Sequence, residues 1–243
     1  MKFAVSRETP DIETSSADYA RRFSGRAGAY FLRVQEQAVK NTLLGCEGSS
    51  VLDVGGGHGQ LTQLLLDLGY CPTVIGSDNS CYSRLRSQCS DARLSFVTSD
   101  LLRLPYPDQS VDIVIAVRLI SHISAWRSLI TEFCRIAKHS VVIDYPSWFS
   151  INAVTPILFA IKKRWEGNTR SYQSFFKQDL AKQFSSQGFS VTRTQPQFFL
   201  PMVLHRAAGG SSVLISMESH CQAIGLTRSF GSPVILRADR KGS

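Results

Sequence analysis

Apolar residues along this chain recur with two periods, and the switches between them mark out its elements. Val51-Leu52-Asp53-Val54 reads as a buried strand; after a glycine turn, Leu61, Leu64, Leu65 and Leu68 fall at the i, i+3, i+4, i+7 spacing of one helical face. Thr73-Val74-Ile75-Gly76-Ser77-Asp78 predicts a second strand ending in an acid, and Leu94-Ser95-Phe96-Val97 a short third one followed by Asp100-Leu101. Val111 to Val117 is a near-continuous β-branched run, the pattern of a strand covered on both faces. Val141-Val142-Ile143-Asp144 is a fifth strand, halted by Pro146. Ala27, Phe31, Val34 and Ala38 line one face of an early helix, and Trp126, Leu129, Ile130 and Phe133 line another before the fifth strand. A helix from Ser174 to Gln187, stopped by Gly188, precedes a strand at Phe189–Arg193. A helix-like region near 211–224 and a last strand, Val234-Ile235-Leu236, complete the chain. This alternation predicts an α/β fold: one doubly wound sheet of seven mostly parallel strands.

Two regions interrupt the pattern. Residues 147–173 form an insertion after the fifth strand, and a second helical insertion separates the last two strands. The first contains an apolar body, Ile151 to Ile161, ending in Lys162-Lys163-Arg164-Trp165. That composition suits a lid packed on the protein's own surface; it also fits an interfacial helix making peripheral membrane contact through 151–165. Residues 1–26 are polar and without period over most of their length, and are read as a flexible N-terminal arm before a single domain, 27–243.

The turn Gly55-Gly56-Gly57-His58-Gly59-Gln60 follows the first strand, where open α/β sheets place ligands. It lacks the Lys-Ser/Thr of a phosphate-cradling P-loop. Its G-x-G-x-G spacing is one residue shorter than the dinucleotide fingerprint, which suits a ligand with no pyrophosphate to wrap. Asp78 lies 23 residues beyond Gly55, the spacing at which a carboxylate meets ribose hydroxyls. Its alternative role is to cap the helix beginning near Ser80, and one residue can do both. An acid at the third strand end, Asp100, has no use in a nicotinamide site but can accept an adenine amine; its alternative role is a loop acid capping a turn.

Composition narrows the classes. A 43% hydrophobic and 19% charged chain is that of a globular protein, and its net charge of +8 is scattered rather than gathered into one tract. The six cysteines include no C-x-x-C pair, so neither a zinc site nor a disulfide framework is expected, and a reducing, cytoplasmic setting fits. The N-terminus has no signal-like apolar region, and no run is long enough to span a bilayer.

Val51–Gly59, Asp78, Ser99-Asp100, Leu104-Pro105-Tyr106-Pro107 and Val111-Asp112-Ile113-Val114 together resemble the class I S-adenosylmethionine-dependent methyltransferases, in their small-molecule branch. The likeness covers roughly 28–145 and implies a Rossmann-like sheet whose sixth and seventh strands pair antiparallel. It implies S-adenosyl-L-methionine as cofactor, with Asp53, Gly55, Gly57 and Gly59 holding its methionine part. Asp78 would take the ribose hydroxyls, with Asn79 beside the adenine, and Asp100 and Leu101 would address the adenine amine and face. His58 stands where the family commonly has Thr or Ser. His122, just past the fourth strand, is the first candidate for a general base, although capping or packing under the next helix is its bland alternative. Tyr145, Arg118, Arg170, Tyr172 and His205 follow; Arg118 is a cofactor-binding candidate, and Arg118 or Arg170 could also clamp a carboxylate or phosphate on the acceptor. The expected acceptor is a small molecule, lipid-like or anionic. Nucleic-acid or protein methylation, or a non-catalytic binding role, are the competing readings. No metal is expected.

Overall fold

The computed structural model describes residues 8–89, 91–150 and 172–242. Seven strands form one sheet: β1 Ser50–Val54, β2 Cys71–Gly76, β3 Ser95–Thr98, β4 Val111–Ala116, β5 Ala137–Tyr145, β6 Phe189–Pro196 and β7 Val234–Arg240. Their spatial order is β3-β2-β1-β4-β5-β7-β6. The first five run parallel to one another, whereas β7 runs antiparallel to both β5 and β6. Ten helices are described: α1 Asp11–Thr14, α2 Ala17–Arg21, α3 Gly25–Leu43, α4 Thr62–Asp67, α5 Ser80–Gln88, α6 Trp126–Ile136, α7 Lys177–Ser186, α8 Met202–Ala207, α9 Ser212–Ala223 and α10 Leu226–Phe230.

The β-branched runs form the centre because both of their faces are buried. Leu52, Val54, Val114 and Ala116 pack on one side with Leu129, Ile130 and Phe133 of α6 and Leu180 and Phe184 of α7. Val51, Ile113 and Ile115 point the other way, onto Ala38, Val39 and Leu43 of α3 and Leu65 of α4. A strand sandwiched between helices shows no polar alternation, which is why hydrophobic runs located these elements so directly.

β5 begins four residues before the apolar stretch that announces it, and β7 continues to Arg240. The extra length is polar. Asp239 accepts hydrogen bonds from Ser140 at 2.7 Å, Thr192 at 2.7 Å and Arg237 at 2.6 Å. Arg240 donates to the carbonyls of Cys134 at 2.8 Å and Ala137 at 2.6 Å. Cross-strand polar partners extend the antiparallel part beyond what apolar content reveals.

The N-terminal segment corrects the expectation of a flexible arm over 1–26. From Glu8 onward it is ordered against the sheet as α1, α2 and the start of α3. Tyr19 and Phe23 pack with Ala27, Phe31 and Phe198. Asp11 is fully buried and accepts from the Ser77 backbone N–H at 2.6 Å and from the Ser77 hydroxyl. A strap fastened by individual hydrogen bonds carries no hydrophobic period to read.

The insertion after β5 leaves and returns at one place: Phe175 N–H donates to the Pro146 carbonyl at 2.9 Å, and Trp148 N–H to the Phe175 carbonyl at 3.1 Å. Its body, including Ile151–Ile161, Lys162-Lys163-Arg164-Trp165 and Arg170, lies outside the described residues. The insertion between β6 and β7 is α8–α10. No helix of the described residues is long and apolar enough to cross a membrane.

Replacing Asp11 with Ala removes the carboxylate that accepts from the buried Ser77 N–H and hydroxyl, at a cost of about 1–3 kcal/mol. The expected readout is faster amide exchange over residues 10–21 with the sheet core unaffected; uniform loss of protection would show that the strap is not an independent unit.

Candidate functional site

The carboxyl ends of β1, β2, β3 and β4 lie side by side, because the sheet order puts these four strands adjacent and parallel. At the centre, Gly55 and Gly59 take positive φ, 77° and 70°, bracketing a tight 3₁₀ turn. Such backbone favours glycine. Gly56 is required for another reason: a Cβ there would sit 2.1 Å from an Asp53 carboxylate oxygen. Asp53 itself is 0% exposed, and neither of its oxygens has a hydrogen-bond partner among the described residues. Burial pushes its pKa up to about 7. A desolvated carboxylate without donors calls for a cation or a proton.

His58 closes the turn. Its Nδ1 accepts from the Gln60 N–H at 3.1 Å, leaving Nε2, 3.4 Å from the Val117 carbonyl, to carry the ring proton. Burial, with Arg118 and Arg84 nearby, lowers its pKa to about 4, so the ring is neutral. The histidine thus ties the glycine turn to the end of β4, a link a Ser or Thr is too short to make.

Asp78 and Asp100 follow β2 and β3 on the same edge of the sheet. Asp78 is exposed, and its Oδ1 accepts from the Ser80 N–H at 2.8 Å at the start of α5. Asp100 is half-buried and accepts from the Leu102 N–H at 3.0 Å. Between them the Asn79 carbonyl oxygen accepts from the Thr98 hydroxyl at 2.6 Å, joining the two strand ends. The Leu101 side chain does not reach this edge. It is 0% exposed and belongs to the core beneath the cleft, so it offers no apolar face to a ligand.

A second cluster lies past β4 and β5. Arg118 has φ 63°, a left-handed conformation that is uncommon outside glycine and concentrates at functional sites. Its N–H donates to Asp144 at 2.6 Å, its guanidinium donates to Gln35 at 2.9 Å, and the same group lies 4.1 Å over the Phe23 ring. Burial raises the Asp144 pKa to about 6, against the lowering effect of Arg118. His122 ends a 3₁₀ turn, with its ring centroid 5.7 Å from that of Tyr172. Tyr172 is half open to solvent; partial burial, reinforced by Asp144 and Tyr19, raises its pKa to about 12.

Two candidates stand elsewhere. Tyr145 follows Asp144 on the strand and so points to the opposite face, where it is 2% exposed in the core and its pKa is pushed up to about 12 by burial. A phenol held that way is no base at neutral pH. His205 is fully buried among the rings of Tyr30, Phe31 and Phe198, its Nε2 3.5 Å from Glu218. Arg170 lies outside the described residues.

Sequence reasoning missed Asp144, Gln35, Glu8 and Asp11. Asp144 was the findable one, since an acid at a strand's carboxyl end is the same signal that singled out Asp78. Glu8 accepts from Ser124 N–H at 2.6 Å and Ala125 N–H at 2.9 Å, at the entry to α6. With Asp11 on Ser77 and Phe23 over Arg118, the strap crosses the carboxyl edge from β4 to β2.

The arrangement can hold a cation beside Asp53, hydroxyl and amine donors at Asp78 and Asp100, and an acceptor near His122. Residues 52–143 match the family model described as a methyltransferase domain. A probable S-adenosylmethionine-dependent methyltransferase of Mycolicibacterium smegmatis is 23% identical over 165 residues, covering 68% of this chain and 61% of that relative. The sterol 24-C-methyltransferase of Schizosaccharomyces pombe is 25% identical over 143 residues, covering 56% of this chain and 37% of that relative. The chain therefore spans less than two thirds of these relatives' lengths. Among solved structures, a Synechocystis magnesium protoporphyrin IX methyltransferase with bound SAH superposes with a TM-score of 0.64 at 16% identity, covering 94% of this chain and 96% of that one. A Thermotoga maritima methyltransferase, titled a possible histamine N-methyltransferase, gives 0.67 at 16% identity, over 95% and 99% of the two chains. At these identities the structures establish the shared fold.

Without ligand, Asp53 should bind a proton on folding, because its folded pKa of about 7 lies above the unfolded 3.8. The folded state binds more protons than the unfolded one across that window, so stability falls as pH rises from about 4 to about 7 and stays low above it. Asp53→Asn removes this dependence. The variant is expected to be more stable than wild type at pH 8, by an order of a few kcal/mol, with the gap closing toward pH 4. A pH-independent difference in urea unfolding would refute the assignment.

Proposed function

We propose that the chain is a class I S-adenosylmethionine-dependent methyltransferase, as its methyltransferase-domain match over residues 52–143 supports, and that it methylates a small lipid-like or anionic acceptor held between Arg118, His122 and Tyr172. The observation that carries the cofactor half is the buried, donorless Asp53 carboxylate beside a turn of glycines. S-adenosylmethionine when bound supplies a sulfonium methyl with a good leaving group, to be attacked in line. The chain's own contribution is then mainly alignment, which in well-oriented pairs is worth up to about 7–11 kcal/mol.

Asp53 would pair with the ammonium of the methionine part, relieving its own desolvation. Asp78 accepts from vicinal hydroxyls while keeping its bond to the Ser80 N–H. Asp100 accepts from the adenine amine, and Asn79, locked to Thr98, keeps the two acids in register. On the acceptor side, Arg118 is preorganised: Gln35 and Phe23 hold the guanidinium, and Asp144 holds its backbone. It would orient an anionic or carbonyl oxygen rather than move a proton. His122 takes the proton from an acceptor hydroxyl, with the Tyr172 ring packed beside it. The strap from Glu8 to Phe23 would exclude water and must give way for cofactor exchange.

Calorimetric titration with S-adenosylmethionine tests the first half: Asp78→Ala should weaken binding about tenfold or more, the cost of a lost charged acceptor. Unchanged affinity would remove Asp78 from the site. His122→Ala should bind the cofactor normally and lose about 10²–10⁴-fold in turnover, read by mass spectrometry as transfer of a deuterated methyl group into cell-extract acceptors. Unaltered turnover would exclude His122 as the base.

A further inference from the structure

Helices α8 to α10 bury polar side chains and leave several large apolar ones exposed. The one buried residue of α9 is Glu218, 3% exposed, while Val213 is 67% and Met217 49% exposed. In α8 the buried residue is His205, and Val203 and Leu204 face out; Ile224 and Phe230 continue the apolar surface. Glu218 is the polar core of this insertion: its oxygens accept from Phe199 N–H at 2.6 Å, Leu200 N–H at 2.9 Å and the Thr227 hydroxyl at 3.3 Å. Met202, Leu214, Ile215 and Leu226 are half-buried, and the remaining large apolar side chains of these helices face out. Single exposed apolar residues are ordinary, but six within the 28 residues 203–230 are a concentration that asks for a partner.

Charge indicates which partner. From Gln197 to Pro233 the sequence holds one carboxylate, Glu218, and it is buried. Arg206 and Arg228 are exposed in the same stretch. Short helices with outward apolar residues, basic side chains among them and no outward acid have the makeup of an interfacial element, drawn to anionic lipid by charge and held by apolar insertion. We infer that α8–α10 dock this protein on an anionic membrane surface. The docked face is joined to the cleft. His205 packs on Phe31, Phe31 shares a cluster with Phe23, and Phe23 lies over the Arg118 guanidinium. The contact is separate from residues 151–165 and does not depend on the chemistry proposed for the site.

The test is sedimentation of the full chain with vesicles of phosphatidylcholine alone and of phosphatidylcholine mixed with phosphatidylglycerol. Wild type should pellet with the mixed vesicles and far less with the neutral ones. Val213→Ser with Met217→Ser should lower partitioning about tenfold through lost apolar insertion. Arg206→Gln with Arg228→Gln should lower it about tenfold on the mixed vesicles only. Val213, Met217 and Arg228 are exposed and their variants should melt like wild type; Arg206 also lies 5.5 Å over the Phe31 ring, so Arg228→Gln alone gives a charge reading independent of packing, and Ile224→Ser an independent reading of the apolar loss. Absence of vesicle binding, or wild-type binding by both pairs, would overturn the inference. So would an oligomer in light scattering that the serine pair dissociates, since the face would then join copies of the chain. S-adenosylmethionine affinity, measured separately on the same variants, should not change, so failure of docking and failure of the catalytic reading are told apart.

Discussion

Asp53 sits near the carboxyl end of β1, fully buried and with no hydrogen-bond donor to its carboxylate among the described residues, and the surrounding structure is shaped to keep it so. An unpaired charge in such a place carries a desolvation cost of several kcal/mol, so the group is protonated or paired. Gly56 leaves room for it where any Cβ would collide, and the left-handed Gly55 and Gly59 turn the chain around it. Neutral His58 then anchors that turn to β4. Stability and ligand binding are coupled through this one group: what destabilises the empty fold at neutral pH is what a cationic ligand would relieve.

The second organising feature is a set of local conformations held by their neighbours. Arg118 keeps a left-handed backbone because Asp144 accepts its N–H, while its side chain is held by Gln35 from α3 and Phe23 from the strap. Three segments distant in sequence therefore fix one residue, two by its guanidinium and one by its backbone. Strain of this kind persists only where the surroundings over-determine it, and here it lies beside His122 and Tyr172, on the acceptor side of the cleft.

The elements outside the alternating strand–helix pattern gather around that same side. The strap crosses the carboxyl edge, the insertion after β5 leaves and returns beside Pro146 and Phe175, and α8 packs against α3. On the proposed function, the sheet would carry the cofactor-binding half, and the strap and α8 would contribute walls toward the acceptor. Placing a lipid-docking face on one such wall would bring a lipid-like acceptor to the cleft without its crossing bulk water.

Much of the fold was legible because a parallel sheet covered on both faces writes its strands as unbroken apolar runs and its helices as stripes. Val111–Val117 and the leucines after Gly59 needed no tertiary information, and the loop and acids at 53–59, 78 and 100 lie close to strand ends that sequence can locate. Side-chain direction and long-range polar fastening were another matter. Tyr145 and Leu101 are each a neighbour of a cleft acid in sequence, yet the pleat and the turn send them into the core. Asp11 and Glu8 look like an unstructured acidic stretch until the sheet supplies the N–H groups they accept from. Period and composition are properties of neighbours along the chain, so they determine elements. Which face a residue takes, and which distant donor a carboxylate meets, exist only once the chain has closed on itself.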